Sequence, residues 1–261
     1  MIVFHESGST KAVPHSLCLL EQIIEYTNNS PNDLDFLWFH IWPNAYKDDS
    51  TAYAKQAGPN SRFAKSDSSS RGFIDSLDFS VDGERVDWDY HPEWSDVLKI
   101  NLKKPLNPGE SIIIETPFFV KLPKVFSRLG HTGKHYEITQ WYPKPAVFDN
   151  KGWHPMPYLN QGEFYSEFGS FDVRITLPKD YRIMATGDLI NGEDEYAWLD
   201  SLAILGDSLH ALDKKAFTAK NRQRVVGVVP LDKKTSIPEG SHLVKDANAK
   251  LPNPKLGHIS A

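Results

Sequence analysis

The sequence predicts a mainly β fold of antiparallel sheets with one buried face, and two observations carry that expectation. From about Leu34 to Leu177, short segments alternate apolar and polar residues, the pattern of half-buried strands. Turn-forming residues punctuate these segments at short intervals.

Taken in order, Leu77, Phe79 and Val81 alternate with polar neighbours. Asp82-Gly83 then supplies a favoured hairpin turn, and Val86, Trp88 and Tyr90 resume the alternation. This predicts a hairpin. A second is predicted from Val97 to Leu102, through a turn at Pro105 to Gly109, into the β-branched and aromatic run Ser111 to Val120. Phe171, Val173, Ile175 and Leu177 alternate cleanly, and Pro178-Lys179-Asp180 ends that strand. Ser66 to Gly72 is small and polar, a surface loop and not a domain linker. After Gly192 the spacing becomes helical, with Tyr196, Leu199, Leu202, Ala203 and Leu209 behind an acidic start, so a helical segment is expected near 193–212 and extending to about 215. Residues 216–261, rich in Pro, Gly, Asn and Lys, are expected to form a loosely ordered tail.

Composition narrows the function. A chain of 261 residues with 40% hydrophobic and 12% aromatic residues can build a packed core. Its 29 basic and 34 acidic residues, a net charge of -5, give too little positive potential for a nucleic-acid surface. One cysteine, Cys18, permits neither an internal disulfide nor a thiolate zinc site and reads as a lone buried thiol. No window approaches the roughly 18 apolar residues of a membrane span, and the first twenty residues lack the apolar stretch of a signal peptide. The compartment stays open.

The densest local signal runs from Glu137 through Trp141-Tyr142-Pro143-Lys144-Pro145 to Asp149, then Gly152 to Tyr158. Its prolines, aromatics and polar groups suit either a rigid loop that shapes a pocket or a proline-stiffened crossover sealing one end of the core. Catalytic constellations are weaker. In an extended segment Glu163 and Glu167 would lie roughly 13 Å apart, beyond the roughly 5 to 9.5 Å of glycosidase carboxylate pairs. No strand-turn-helix nucleophile elbow of the G-x-S-x-G kind is present.

Four blocks in fixed order carry a resemblance: Leu37 to Lys47, Val125 to Gly130, Thr139 to Lys144, and Gly162 to Gly169. Over roughly Glu21 to Leu205 the chain resembles the N-terminal domain of bacterial members of the aminopeptidase N family of zinc metallopeptidases. The resemblance implies a saddle or sandwich of antiparallel sheets over residues 21–192, followed in the parent by a thermolysin-like catalytic domain. It implies zinc held there by an H-E-x-x-H helix and a further glutamate. This chain carries no such motif, so it is expected to hold no cofactor itself, to be inactive alone, and to be a fragment whose parent holds the zinc. His5-Glu6 lacks the second histidine. His131 and His135 have the i, i+4 spacing, but Thr132-Gly133-Lys134 between them supplies no glutamate and breaks a helix, leaving an exposed loop as the expectation.

In that family a loop of this domain offers a polar residue to the substrate's free amino terminus. The resemblance points to Gln140, with Glu137 and Tyr142 beside it, as the substrate-binding set. Gln140 reads alternatively as a structural side chain capping the loop backbone. Residues 1–20 match neither the alternation nor the family. The implied partners are a peptide amino terminus and the parent's catalytic domain. A second function is a free-standing module whose Trp141, Tyr142, Trp153 and Tyr158 form an aromatic platform for sugars or peptides.

Overall fold

The computed structural model describes residues 2–4, 16–176, 181, 183–190, 197 and 200–207. Two units divide the chain, Met1–Leu177 and Pro178–His258. The fold is mainly β, as the alternation predicts. In the second unit, Ala197 and residues 200–207 are helical; the rest of the expected 193–212 helix and the 216–261 tail lie outside the described residues. No helix among the described residues is long and apolar enough to cross a membrane.

The first unit is built on two larger, mainly antiparallel sheets that share one core. In one, Ser111–Lys121 is central, pairing with Ser16–Thr27 on one side and with Phe73–Asp75 and Ser80–Val81 on the other. Its Ile114, Thr116, Phe118 and Val120 are buried while their neighbours are not, the period-two signature of a one-sided strand. Pro117 has no N–H to give, and on the side of the short strands it falls in the gap between them. In the other sheet Val97–Leu106 lies between Leu34–His40 and Trp88–Tyr90, and Leu34–His40 also pairs with Lys144–Pro145. Leu37, Phe39, Leu98 and Ile100 join Leu20, Phe79, Ile114, Phe118 and Val120 in the core, with Phe39 and Phe79 rings 5.3 Å apart.

The first predicted turn forms. Asp82 and Gly83 take φ +50° and +79°, the left-handed pair that suits a two-residue hairpin, between Ser80–Val81 and Glu84–Arg85. The chain then changes sheets, so Trp88–Tyr90 pairs elsewhere than expected.

The second predicted hairpin is corrected outright. Val97–Leu106 and Ser111–Lys121 belong to different sheets, and Asn107–Glu110 is a crossover. Buried Asn28 fixes it: its side-chain amide donates to the Leu106 carbonyl at 2.9 Å, while its backbone pairs with Gly109 and Glu110 at 2.7 and 2.9 Å. Two further expectations are revised. The first twenty residues do contain strand, with Ile2–Phe4 antiparallel to Ser16–Thr27 and parallel to Val173–Arg174. The strand predicted over Phe171 to Leu177 is only Val173–Arg174 among the described residues; Phe171 lies half-exposed before it, and Leu177 lies outside the description.

Candidate functional site

The four sequence blocks, spread over some 130 residues of chain, meet in one aromatic and polar cluster. Leu34–His40 runs into a 3-10 turn, Trp42–Tyr46, whose start suits Pro43 because the first amides of a helix need no internal partner. Trp42 packs on Phe164 with centroids 4.6 Å apart. Arg128 lies 4.9 Å over the same Phe164 ring, and Thr139 donates its hydroxyl to the Arg128 carbonyl at 2.9 Å. Phe126 closes on Phe63, which packs against Tyr46.

At the centre is Lys144. Prolines flank it, which favours extended backbone, and Lys144–Pro145 pairs antiparallel with His40 and Phe39. Lys144 lies directly opposite His40 and so shares its face of the sheet. Its Nζ donates to Gln140 Oε1 at 2.6 Å and sits 4.4 Å over the Trp42 ring. Lys144 and Gln140 are each only 7% exposed. Burial pushes the Lys144 amine down to about 7. Gln140 holds φ +53°, a left-handed conformation that costs a non-glycine residue roughly 1 to 2 kcal/mol. The short bond to a buried amine, worth about as much, offsets that strain.

His40 stacks on Trp42 at 4.4 Å and 15°. It accepts the Met156 amide at Nε2, 3.1 Å away, which requires a ring without a proton there. Burial, and then Lys144, lower its pKa to about 3, against a smaller opposing effect of the His154 backbone. A neutral ring is therefore the ordinary state.

The segment His154 to Tyr158 is strapped onto this cluster. Pro155 and Pro157 leave it three amides, and each has a partner. His154 donates to the Val147 carbonyl at 2.8 Å, Met156 to His40, and Tyr158 to Asp96 Oδ2 at 2.7 Å. The Trp42 indole N–H returns a bond to the Met156 carbonyl at 3.0 Å. Asp96 is buried, and burial raises its pKa to about 7, with the Tyr158 amide pulling the other way.

Of the three residues expected to bind substrate, Gln140 is in the cluster with its carbonyl already engaged by Lys144. Tyr142 is buried behind Trp141, its hydroxyl without a hydrogen-bond partner among the described residues. Glu137 is set apart on the hairpin of Gly130–Thr132 and His135–Glu137, its carboxylate 3.6 Å from His135 Nε2. Among the described residues no hydrogen bond or ion pair joins it to Gln140 or Tyr142. Lys144, His40, Trp42 and Asp96 were not singled out as functional by sequence. The available signal was a lysine between two prolines in an aromatic run.

The aromatic platform is corrected. Trp141, Tyr142 and Tyr158 are core, with Trp141 fully buried 5.9 Å from Phe118, and only Trp153 is partly exposed. The exposed loop expected at His131 is also corrected, since it is a hairpin. His131 lies opposite Tyr136, so His135 projects to the other face; His131 is buried and His135 exposed. The pair therefore does not fit one zinc ion.

No family model and no curated protein matches the chain. Among solved structures it is similar to a mutant M1 zinc metallopeptidase from Deinococcus radiodurans, at 11% identity and a TM-score of 0.27. It is similar to a mutant two-domain M1 zinc metallopeptidase bound to L-tryptophan, and to the mutant Deinococcus radiodurans enzyme bound to a Tyr-Ser-Ala substrate, each at 13% identity and 0.26. Each alignment covers 52% of this chain and 24% of the other, so the chain spans about a quarter of their length.

Proposed function

We propose that this chain is the non-catalytic N-terminal domain of an aminopeptidase N-like zinc metallopeptidase, helping to form the substrate cleft and anchoring the peptide amino terminus at the loop of Gln140. One observation carries the reading: the Gln140 side-chain carbonyl holds a primary amine, that of Lys144, at 2.6 Å against an indole face. A carbonyl acceptor beside an aromatic ring is the chemistry that recognises a protonated amine. Glu137, on its separate hairpin, and Tyr142, whose buried hydroxyl has no partner among the described residues, complete the proposed substrate-binding set. The four-block sequence resemblance supports the same assignment, because those blocks supply Trp42, Arg128, Gln140, Lys144 and Phe164. Activation of water by zinc belongs, on this reading, to a catalytic domain, and no residue described here is assigned to the metal.

The test is a titration of the full chain, followed by NMR, with a short peptide bearing a free amino terminus and with its N-acetylated form. Saturable binding of the free amine alone, weakened at least tenfold in Gln140→Ala, is expected. Equal binding of both peptides would overturn the reading.

A further inference from the structure

We infer that Gln140 and Trp42 form a cage for a primary amine whose resident is this chain's own Lys144, so that a peptide amine enters only by displacing that side chain. The inference rests on the reading of Gln140 above and adds its regulation. A primary amine is satisfied here on two sides, by a carbonyl oxygen at 2.6 Å and by a ring face at 4.4 Å. Those are the two contacts an incoming amino terminus would need, and one site holds one amine. Gln140 is only 7% exposed, and its Oε1 is already taken by the Lys144 amine.

The backbone explains why displacement is feasible. Lys144 is pinned by its strand pairing with His40, and Ala146 donates to the Trp38 carbonyl at 2.8 Å, so the main chain stays while the four-carbon stem swings. Burial disfavours the charged form of the Lys144 amine, which favours release over retention. His40, directly opposite on the paired strand, is the titratable neighbour and offers no negative charge. Among the described residues no carboxylate forms an ion pair with Lys144. A peptide ammonium arriving with its own chain and carboxylate would compete with a resident held only by neutral partners.

The experiment removes the resident. In full-length Lys144→Ala, n-butylammonium is expected to raise the melting temperature by at least about 2 °C at tens of millimolar. n-Butanol, of the same shape without the charge, should not, and neither ligand should move the wild type. A free-amine dipeptide should bind Lys144→Ala at least tenfold more tightly than the wild type. Lys144→Met, which fills the cage with an apolar chain, should lose the butylammonium response. In the wild type the Lys144 ε-CH2 NMR signals, displaced by the Trp42 ring current, should return to solvent-exposed positions as the peptide saturates, a readout independent of how any variant folds.

Equal stabilisation by butanol, or none by butylammonium, overturns the cage. Equal peptide affinity in the wild type and Lys144→Ala, or unmoved Lys144 signals at saturation, leaves Gln140 as an anchor and overturns the displacement. A butylammonium response with no peptide binding in either protein keeps the cage and defeats the peptide reading instead.

Discussion

The Asp96 carboxylate accepts the Tyr158 amide at 2.7 Å across 62 residues of chain, with both residues buried. This bond closes the strap formed by His154 to Tyr158 over Trp42 and His40. Asp96→Ala should leave the Tyr158 amide unsatisfied and cost about 1 to 3 kcal/mol in chemical denaturation. Asp96→Asn keeps an acceptor and removes a penalised charge, so at pH 8 it should be neutral or stabilising.

The pH profile follows from three buried groups whose signs differ. The folded pKa of Asp96 is raised to about 7, so its contribution is present below about pH 4 and lost as pH rises through 7. His40 is lowered to about 3, so the folded state loses stability as pH falls from about 6.5. Between about pH 4 and 6.5 the two oppose each other and stability should be nearly flat. Removing the titrating Asp96 carboxyl in Asp96→Asn should reveal the His40 slope, up to about 1.4 kcal/mol per pH unit, in denaturation curves at pH 5 and 6.

Lys144 acts alone above neutrality. Its pKa is lowered from 10.5 to about 7, so the unfolded chain binds a proton there that the folded chain does not. Stability from this group should rise with pH between about 7 and 10, by up to about 1.4 kcal/mol per unit. Denaturation of Lys144→Met at pH 7 and 9 should show that rise removed.

Trp42→Phe tests the strap from the other side. The indole N–H to the Met156 carbonyl is lost, together with part of a buried surface shared with Phe164 and His40. A loss of about 2 to 4 kcal/mol is expected.

Gly72→Ala should destabilise the fold where it meets the end of the Trp42–Tyr46 turn. A Cβ there would stand 2.5 Å from the Lys121 carbonyl oxygen and 2.5 Å from Pro123 Cδ, neither of which is a free side-chain end. The Gly72 amide is already committed to Tyr46 O at 3.2 Å, so the turn has little freedom to yield. A loss of about 1 to 3 kcal/mol in thermal or chemical unfolding is expected.

Much of the fold was legible because strand alternation and turn chemistry are local. Ser111–Lys121 shows its buried face residue by residue, and Asp82-Gly83 fixes its own hairpin. The sheet assignment was not legible. Val97–Leu106 and Ser111–Lys121 alternate equally well whether they pair with each other or with partners elsewhere, and buried Asn28, 78 residues before Leu106, decides it. For the site, the sequence pointed to the Gln140 loop but not to what the loop holds.

By itself, then, the sequence determined the mainly β class and the Asp82-Gly83 turn, since periodicity and turn propensity are written in neighbouring residues. Only the tertiary structure decided that Lys144 lies against Trp42 and occupies Gln140, and that Trp141, Tyr142 and Tyr158 are core and not platform. The physical reason is that burial and cross-strand register are set by distant partners: His40 opposite Lys144, Phe118 against Trp141, and Asp96 beneath Tyr158.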